Sequence, residues 1–566
     1  MRLTLVLRLM VVVLTCLLLW AGVLWLVPAM RLVRANPGSW FVTVAGSGTA
    51  CSQAQPCELQ TALAQSVNDD VIYVAAGIYT GSGAAVVTIT KGITLYGGWN
   101  GGATGTVVRD PVANRSILDG QGERRVVYID GYFACTVDGF TIQRGNASSV
   151  PNAGLGGGIY SRYAWPIIAN NIITGNTALS SSTSAWGNGG GVYLASSTHS
   201  AVIRGNQVVG NIACGSGPGV GGGVVVTSHQ AYILDNTVLN NTGSITNGNG
   251  YGGGMGILSA DGCIVTGNTI ESNQGTIGSL TQSGQGGGAY VEGGAGVVLG
   301  NNRIRNNVAA VHGPGSGGGV SARWANDLLV AENLVEGNTA AATLGKQGMG
   351  GGMFVHSSQN MNLTGNRIIA NSAGETVSYG GGLGIQINTS FTMTNNIVAG
   401  NRSSYRGGGL SLIAYETTPV TGTLLHNTFV ANNAGSGFGQ VAIDLTSEWI
   451  QLALVNNLLS THSNALCVPF GSTVTLTHTL FYGNSSGDFC PGGPVVNTGA
   501  ITGQDPLLDA VYHLRAGSPA IDAGVHAGVT ADIDGDARPI GAGYDIGADE
   551  FTEPHCVCLP VVLKAR

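Results

Sequence analysis

The chain has 566 residues, of which only 9% are charged, and a formal net charge of −7; an ordinary globular chain carries about 25% charged residues. This balance excludes a nucleic-acid binder, which needs a basic face, and no basic cluster or base-stacking platform interrupts it. The 93 glycines, together with many Ser, Thr and Asn, point to an extended surface that is polar but uncharged.

In chain order, Arg2 and Arg8 precede an apolar stretch over 9–30, followed by Arg31, Arg34 and Ala35. Val33-Arg34-Ala35 reads as a small-x-small cleavage site, so residues 1–35 form an export signal removed before Asn36. The stretch is also long enough to span a bilayer, which makes a retained anchor the second reading. Arginines on both sides leave its orientation open. Either way the rest of the chain lies outside the cytoplasm. Cys51 and Cys57 bracket one short loop, and Cys467 and Cys490 another; each pair is a predicted disulfide of an oxidising compartment. Between Pro56 and Val67, the residues Leu59, Ala62, Leu63 and Val67 share one helical stripe. Strands follow at 71–74, 86–90 and 93–96. Residues 36–100 are thus a helical N-terminal cap with the first incomplete coils.

From Gly156 onward the triplet Gly-Gly-Gly followed by an apolar residue occurs nine times, beginning at Gly156, Gly189, Gly221, Gly252, Gly286, Gly317, Gly350, Gly380 and Gly407. A second marker keeps step: asparagines run from Asn171 to Asn457, and all but the last are followed five residues later by another, from Asn176 to Asn432. A period of about thirty residues means stacked repeats. Within one unit the apolar residues alternate in three short pieces, so the pieces are strands. The predicted architecture is all-β: a single-stranded right-handed parallel β-helix of roughly 12 coils over 101–500, about 60 Å long at the interstrand spacing. Asparagine suits the left-handed bend between strands and a coil-to-coil amide ladder. Glycine permits the turn into each first strand. Propellers, leucine-rich repeats and calcium-binding nonapeptide repeats fit the period or the markers worse. Cys135 and Cys263 share an inward register position with Ala201, Ala231, Val297, Leu328 and Leu452, which makes them buried structural thiols.

The repeat is lost over 501–551, predicted as an irregular C-terminal cap. It reads Ser518-Pro-Ala-Ile-Asp-Ala-Gly524, Asp532-Ile-Asp-Gly-Asp-Ala-Arg-Pro539 and Asp545-Ile-Gly-Ala-Asp-Glu-Phe551. Asp532, Asp534 and Asp536 are oxygen donors at alternate positions, so calcium is the one cofactor raised, although the glutamate and glycine positions of an EF-hand are missing. The alternative is aspartates bonding turn amides, with Arg538 paired to Asp545 or Asp549. The tail 552–566, with Cys556 and Cys558, is too short to span a membrane. These cap motifs, with Pro56-Cys57 and Ala76-Gly77-Ile78-Tyr79-Thr80 near the start, resemble the bacterial choice-of-anchor Q β-helix proteins of the pectin-lyase-like superfamily. The resemblance covers 40–551. It implies an exported, cell-surface or secreted rod with variable C-terminal attachment, and no single reaction. The repeats also look like those of polymorphic outer-membrane adhesins.

In enzymes of that superfamily the substrate lies on the outer face of one strand stack. The second and fourth residues after each triplet are expected to point outward, and one cluster stands out: Tyr290, Glu292, Arg323, Phe354 and His356 on three successive coils. Aromatic faces suit sugar rings, and Glu, Arg and His bond hydroxyls or carboxylates. His356 or Arg323 as base and Glu292 as acid would suit a lyase or hydrolase; a simple Glu292–Arg323 surface ion pair is the plainer reading. Galacturonan-hydrolase motifs and a calcium-type carboxylate group are missing from these coils. The loops over 227–230 and their counterparts are short. Two longer stretches, 177–188 and 274–285, would favour an enzyme if they bordered a cleft. The functional reading is a non-catalytic adhesion or polysaccharide-binding rod. A lyase or hydrolase of acidic polysaccharide is the alternative, and a structural envelope spacer the third. The implied partner is a polysaccharide or envelope component.

Overall fold

The computed structural model describes residues 38–553 apart from 183–184, 196, 229 and 435–440; the N-terminal segment and the tail cysteines lie outside the described residues. Three parallel sheets stack side by side around one axis. The first face, built from the strands that follow the glycine triplets, holds 14 strands from Ala85–Ile89 to Gly487–Phe489. The second holds 16, from Ser39–Val42 to Val495–Thr498, and the third 15, from Gly77–Tyr79 to Ile501–Thr502. At the interstrand spacing this makes a rod of about 70 Å. It exceeds the expected length because coils without triplets extend it at both ends.

Side chains alternate along each strand, so every second residue points to the axis. In one central coil Val320 and Ala322 from the first face, Val330 from the second and Val335 from the third are all buried. The column Ala201, Ala231, Cys263, Val297, Leu328 is buried throughout and stacks in the expected register.

Each marker has a distinct cause. Gly317 turns into its strand at φ +64°. A Cβ on Gly318 would lie 2.3 Å from the Gly351 carbonyl oxygen, and one on Gly319 would meet the Asn338 amide at 3.1 Å. The asparagines are ladders of buried amides. Asn338 Nδ2 donates to Ile304 O (2.8 Å) and Asn371 Oδ1 (2.9 Å), while its Oδ1 accepts from Asn307 N (3.0 Å) and Nδ2 (2.9 Å). The left-handed bend falls on the residue before each ladder asparagine, for example Asn301 (φ 50°), Glu332 (φ 56°) and Ala370 (φ 54°). That corrects the assignment of the bend to the ladder residue itself.

Two further expectations change at the ends. The cap helix spans Leu59–Gln65 and buries Leu59, Ala62 and Leu63, but Val67 lies beyond its C-terminus and is 49% exposed. The segment after residue 505 does not sit on the end of the rod; it folds back along the third face. Asn395 Nδ2 donates to Ala531 O (2.6 Å), Asn456 Nδ2 to Val525 O (2.6 Å), and Ala548 N to Thr428 Oγ1 (2.9 Å). Leu514, Ala520 and Ile546 close over Leu458 and Leu480. The reason is visible in the outward column Leu334, Arg367, Ile397, Thr428, Leu458, Leu480. It turns apolar toward the C-terminus and must be covered.

Candidate functional site

The predicted cluster is in register. Glu292, Arg323 and His356 occupy one column, and Tyr290, Ser321 and Phe354 another. The aromatic faces are nevertheless unavailable: Tyr290 is 2% exposed and Phe354 5%. The glycine-rich stretch before each triplet runs as two additional parallel ladders, one of six strands from Thr177–Leu179 to Thr339–Ala341 and one of seven from Gly187–Asn188 to Ser378–Tyr379. They lie over the second-position column. Tyr251 of the seven-stranded ladder meets Tyr290 with ring centroids 5.1 Å apart, and Tyr160, Tyr193, Val220 and Val225 form a small second core in the same layer. The stretches 177–188 and 274–285 therefore contribute strands to this layer.

The charged column is half-buried. Arg323 Nη1 donates to Gln285 Oε1 (3.4 Å) and its guanidinium lies 4.8 Å from the Trp324 ring centroid. Burial and the neighbouring Arg323 charge push the His356 imidazole below its ordinary value, so it is neutral at neutral pH. Burial and then the Glu292 charge raise the Tyr290 phenol. Glu292 and Arg323 are not among the ion pairs within 4.0 Å of the described residues. Catalysis by proton transfer needs groups converging on one reacting atom. This column instead strings three groups along the rod, one per coil.

A concave site lies on the second face, where neither expected cluster is. A groove of about 550 Å³ spans the strands Met361–Thr364, Thr389–Thr394, Val420–Leu425, Ile450–Val455 and Thr473–Thr477. Its lining holds no ionisable side chain. At Gly422 the inward space is taken by its neighbours: a Cβ there would meet Phe391 Cζ at 2.3 Å and Leu452 Cδ1 at 2.8 Å. The alternation Thr392-Met393-Thr394, Thr421-Gly422-Thr423 and Thr473-Val474-Thr475 is the sequence signal for this face.

Among the C-terminal aspartates, Asp532 bonds the backbone of its own turn. Asp532 Oδ1 accepts the amides of Asp534 (2.9 Å) and Asp536 (2.8 Å), and its Oδ2 that of Glu550 (2.9 Å). Arg538 pairs with Glu550 at 2.7 Å, both side chains fully buried, and not with the Asp545 or Asp549 carboxylates. His513, Asp534 and Asp549 bring ligand atoms within 4.8 Å of one another. Arg367 Nη2 already fills that space, 2.8 Å from His513 Nε2 and 3.4 Å from Asp534 Oδ1. A guanidinium there makes the group a clasp between rod and flap, unsuited to a cation. The structure joins Cys51 to Cys57 (Cα–Cα 4.6 Å) and Cys467 to Cys490 (4.8 Å). Burial pushes the free thiols of Cys135 and Cys263 up to about 12, which leaves them unreactive.

Stacked parallel faces, an apolar axis and asparagine ladders define a right-handed parallel β-helix. A family model described as "Right handed beta helix region" matches residues 276–433. No curated protein sequence matches the chain. Among solved structures the chain is similar to the periplasmic alginate epimerase AlgG, at 12% identity over 73% of this chain and 83% of that one, with a TM-score of 0.39. It is also similar to pectate lyase Pel9A (12%, 92% and 97%, TM-score 0.29). A third is the mannuronan C-5 epimerase AlgE6 A-module of Azotobacter vinelandii (11%, 81% and 95%, TM-score 0.29). None of these likenesses assigns an activity. Among the described residues no helix is long and apolar enough to cross a membrane.

Proposed function

We propose that this chain is an exported bacterial β-helix of the choice-of-anchor Q type, secreted or held at the cell surface, that binds polysaccharide without transforming it. The observation that carries the reading is the groove on the second face. Asn362, Thr392, Thr421, Thr423, Gln451 and Thr475 face it, and among the described residues their side chains have no hydrogen-bond partner in the protein. The interior ladder asparagines such as Asn338, by contrast, are satisfied on both sides. Unpaired hydroxyls and amides gathered in a concave site are available to a ligand rich in hydroxyls. With no acid or base in the lining, the groove has nothing to move a proton. Two disulfides support an oxidising compartment, and residues 1–35 would supply export or anchoring.

The test is retention of the purified protein on immobilised neutral and acidic polysaccharides, followed together with new reducing ends and unsaturated-uronate absorbance. Retention without product is expected. Product formation abolished by Arg323→Ala or His356→Ala would make the charged column an active site and overturn the reading, as would retention on none of the polymers.

A further inference from the structure

We infer that the groove takes an uncharged polysaccharide chain laid along the rod axis, with sugar rings against an aromatic rim at its edge. This rests on the polysaccharide-binding reading above and names the ligand class and its direction.

The class follows from charge. An acidic chain needs cationic partners to replace its hydration, and the lining residues supply none. The charges beside the groove have the wrong sign. Asp327 accepts a hydrogen bond from Asn360 Nδ2 (3.3 Å) at one end. Glu448 packs against Gly471, beside the strand that carries Thr473, at the other. These carboxylates repel uronates and sulfated sugars. Hydroxyls and amides both donate and accept, which matches neutral sugar hydroxyls that do the same.

The direction follows from register. Asn362, Thr392, Thr423, Ala453 and Thr475 form one outward column, and Ser390, Thr421, Gln451 and Thr473 form the next. Each column climbs the axis by about 4.8 Å per coil, so five coils offer a track about 19 Å long. The columns stand about 6.6 Å apart along the strands, two residues of rise. A ring between them meets polar groups on both sides at the coils of Thr392, Thr423 and Thr475, while on the coil between the last two Ala453 stands opposite Gln451.

At the corner leading into the second face, three successive coils expose Tyr415 (61%), Trp449 (45%) and Phe470 (73%). Large exposed aromatics in a row mark an interaction surface. Sugar C–H faces pack on such rings without any charge requirement. A rim of this kind beside a neutral polar track fits a glycan better than a peptide, which would need a strand edge or an apolar slot.

The experiment measures affinity for soluble β-glucan, xyloglucan and galactomannan, and for alginate and polygalacturonate, at low and high salt. The variants are the triple Thr392→Val, Thr423→Val, Thr475→Val, the single Thr423→Lys, and Trp449→Ala. Valine keeps the shape and strand preference of threonine, and thermal unfolding checks that the rod is intact. Binding to at least one neutral polymer is expected, unmoved by salt. It should weaken about a hundredfold in the triple variant, for three hydrogen bonds of about 1 kcal/mol each, at least severalfold in the lysine variant, and measurably in Trp449→Ala. Binding to the acidic polymers alone would overturn the inference and leave the polysaccharide-binding reading standing. Neutral binding that no groove variant changes would overturn the groove as its seat. Binding to no polymer would remove both.

Discussion

Acidification is expected to loosen the C-terminal flap through His426. This side chain is fully buried between rod and flap, its Nδ1 donating to Asp545 O (3.0 Å) and its Nε2 accepting from Asn456 Nδ2 (2.9 Å). The second bond requires the neutral ring, since a protonated Nε2 cannot accept; the first survives in either form. Burial, then the Arg538 charge, push its pKa down to about 3, against about 6.5 in the unfolded chain. Between these values the unfolded state binds a proton that the folded state refuses, so stability falls as pH falls, by about 1.4 kcal/mol per pH unit. From pH 6.5 to 4.5 the loss is about 2 kcal/mol. The comparison is His426→Asn, since asparagine holds the equivalent left-handed positions 395 and 456 and does not titrate. Hydrogen exchange at Gly524, Ile546 and Gly547, whose amides bond Tyr544, Ala520 and Asn456, reports flap opening. The advantage of wild type over the variant should shrink by about that amount across the window. Asp545, which burial pushes up to about 6, works in the opposite sense but is common to both proteins. A wild-type advantage that stays constant with pH would refute the reasoning.

Removing one rung of an asparagine ladder should be costly. Asn338→Ala strands the Ile304 carbonyl and the two Asn307 donors in the interior, for about 4 kcal/mol in a denaturant titration; a loss under about 1 kcal/mol would show the ladder to be ornamental. Arg538→Met leaves the buried Glu550 carboxylate without its cation, held only by the Ile540 and Asp545 amides, at about 3 kcal/mol or more. Limited proteolysis should then cut within 505–551, and adding Glu550→Gln should restore part of the protection. Cys263 should resist thiol reagents at neutral pH in the folded protein and react on unfolding. Labelling of the folded rod would contradict the packing of its column.

What the sequence discloses follows the strength of its periodicity. The triplets and asparagines are long-range repeats with one geometric solution, and the alignment of Glu292, Arg323 and His356 follows from them. The burial of Tyr290 does not. It depends on the covering ladders, whose strands, such as Gly284–Gln285 and Gly315–Ser316, are two residues long, too short for an alternation to show. The groove escaped because threonines alternating with Met393, Gly422 and Val474 look like any solvated strand face. Only their lack of partners in three dimensions distinguishes them. The flap's position was written in Ile397, Leu458 and Leu480, outward residues that are apolar where earlier coils carry Gln207, Thr237 and Arg303.

The asparagine ladders also leave open bonds at each end of a partly built rod. Each rung takes its hydrogen bonds from the coil before and offers the same bonds to the next, so a growing rod always ends in a template for one more coil. A chain delivered N-terminus first can therefore build behind its cap helix without waiting for its far end. Until residues 505–551 are present, the outward side chains of Ile397, Leu458 and Leu480 are uncovered. Truncation there should yield a rod whose early coils are sound and whose last ones are adhesive.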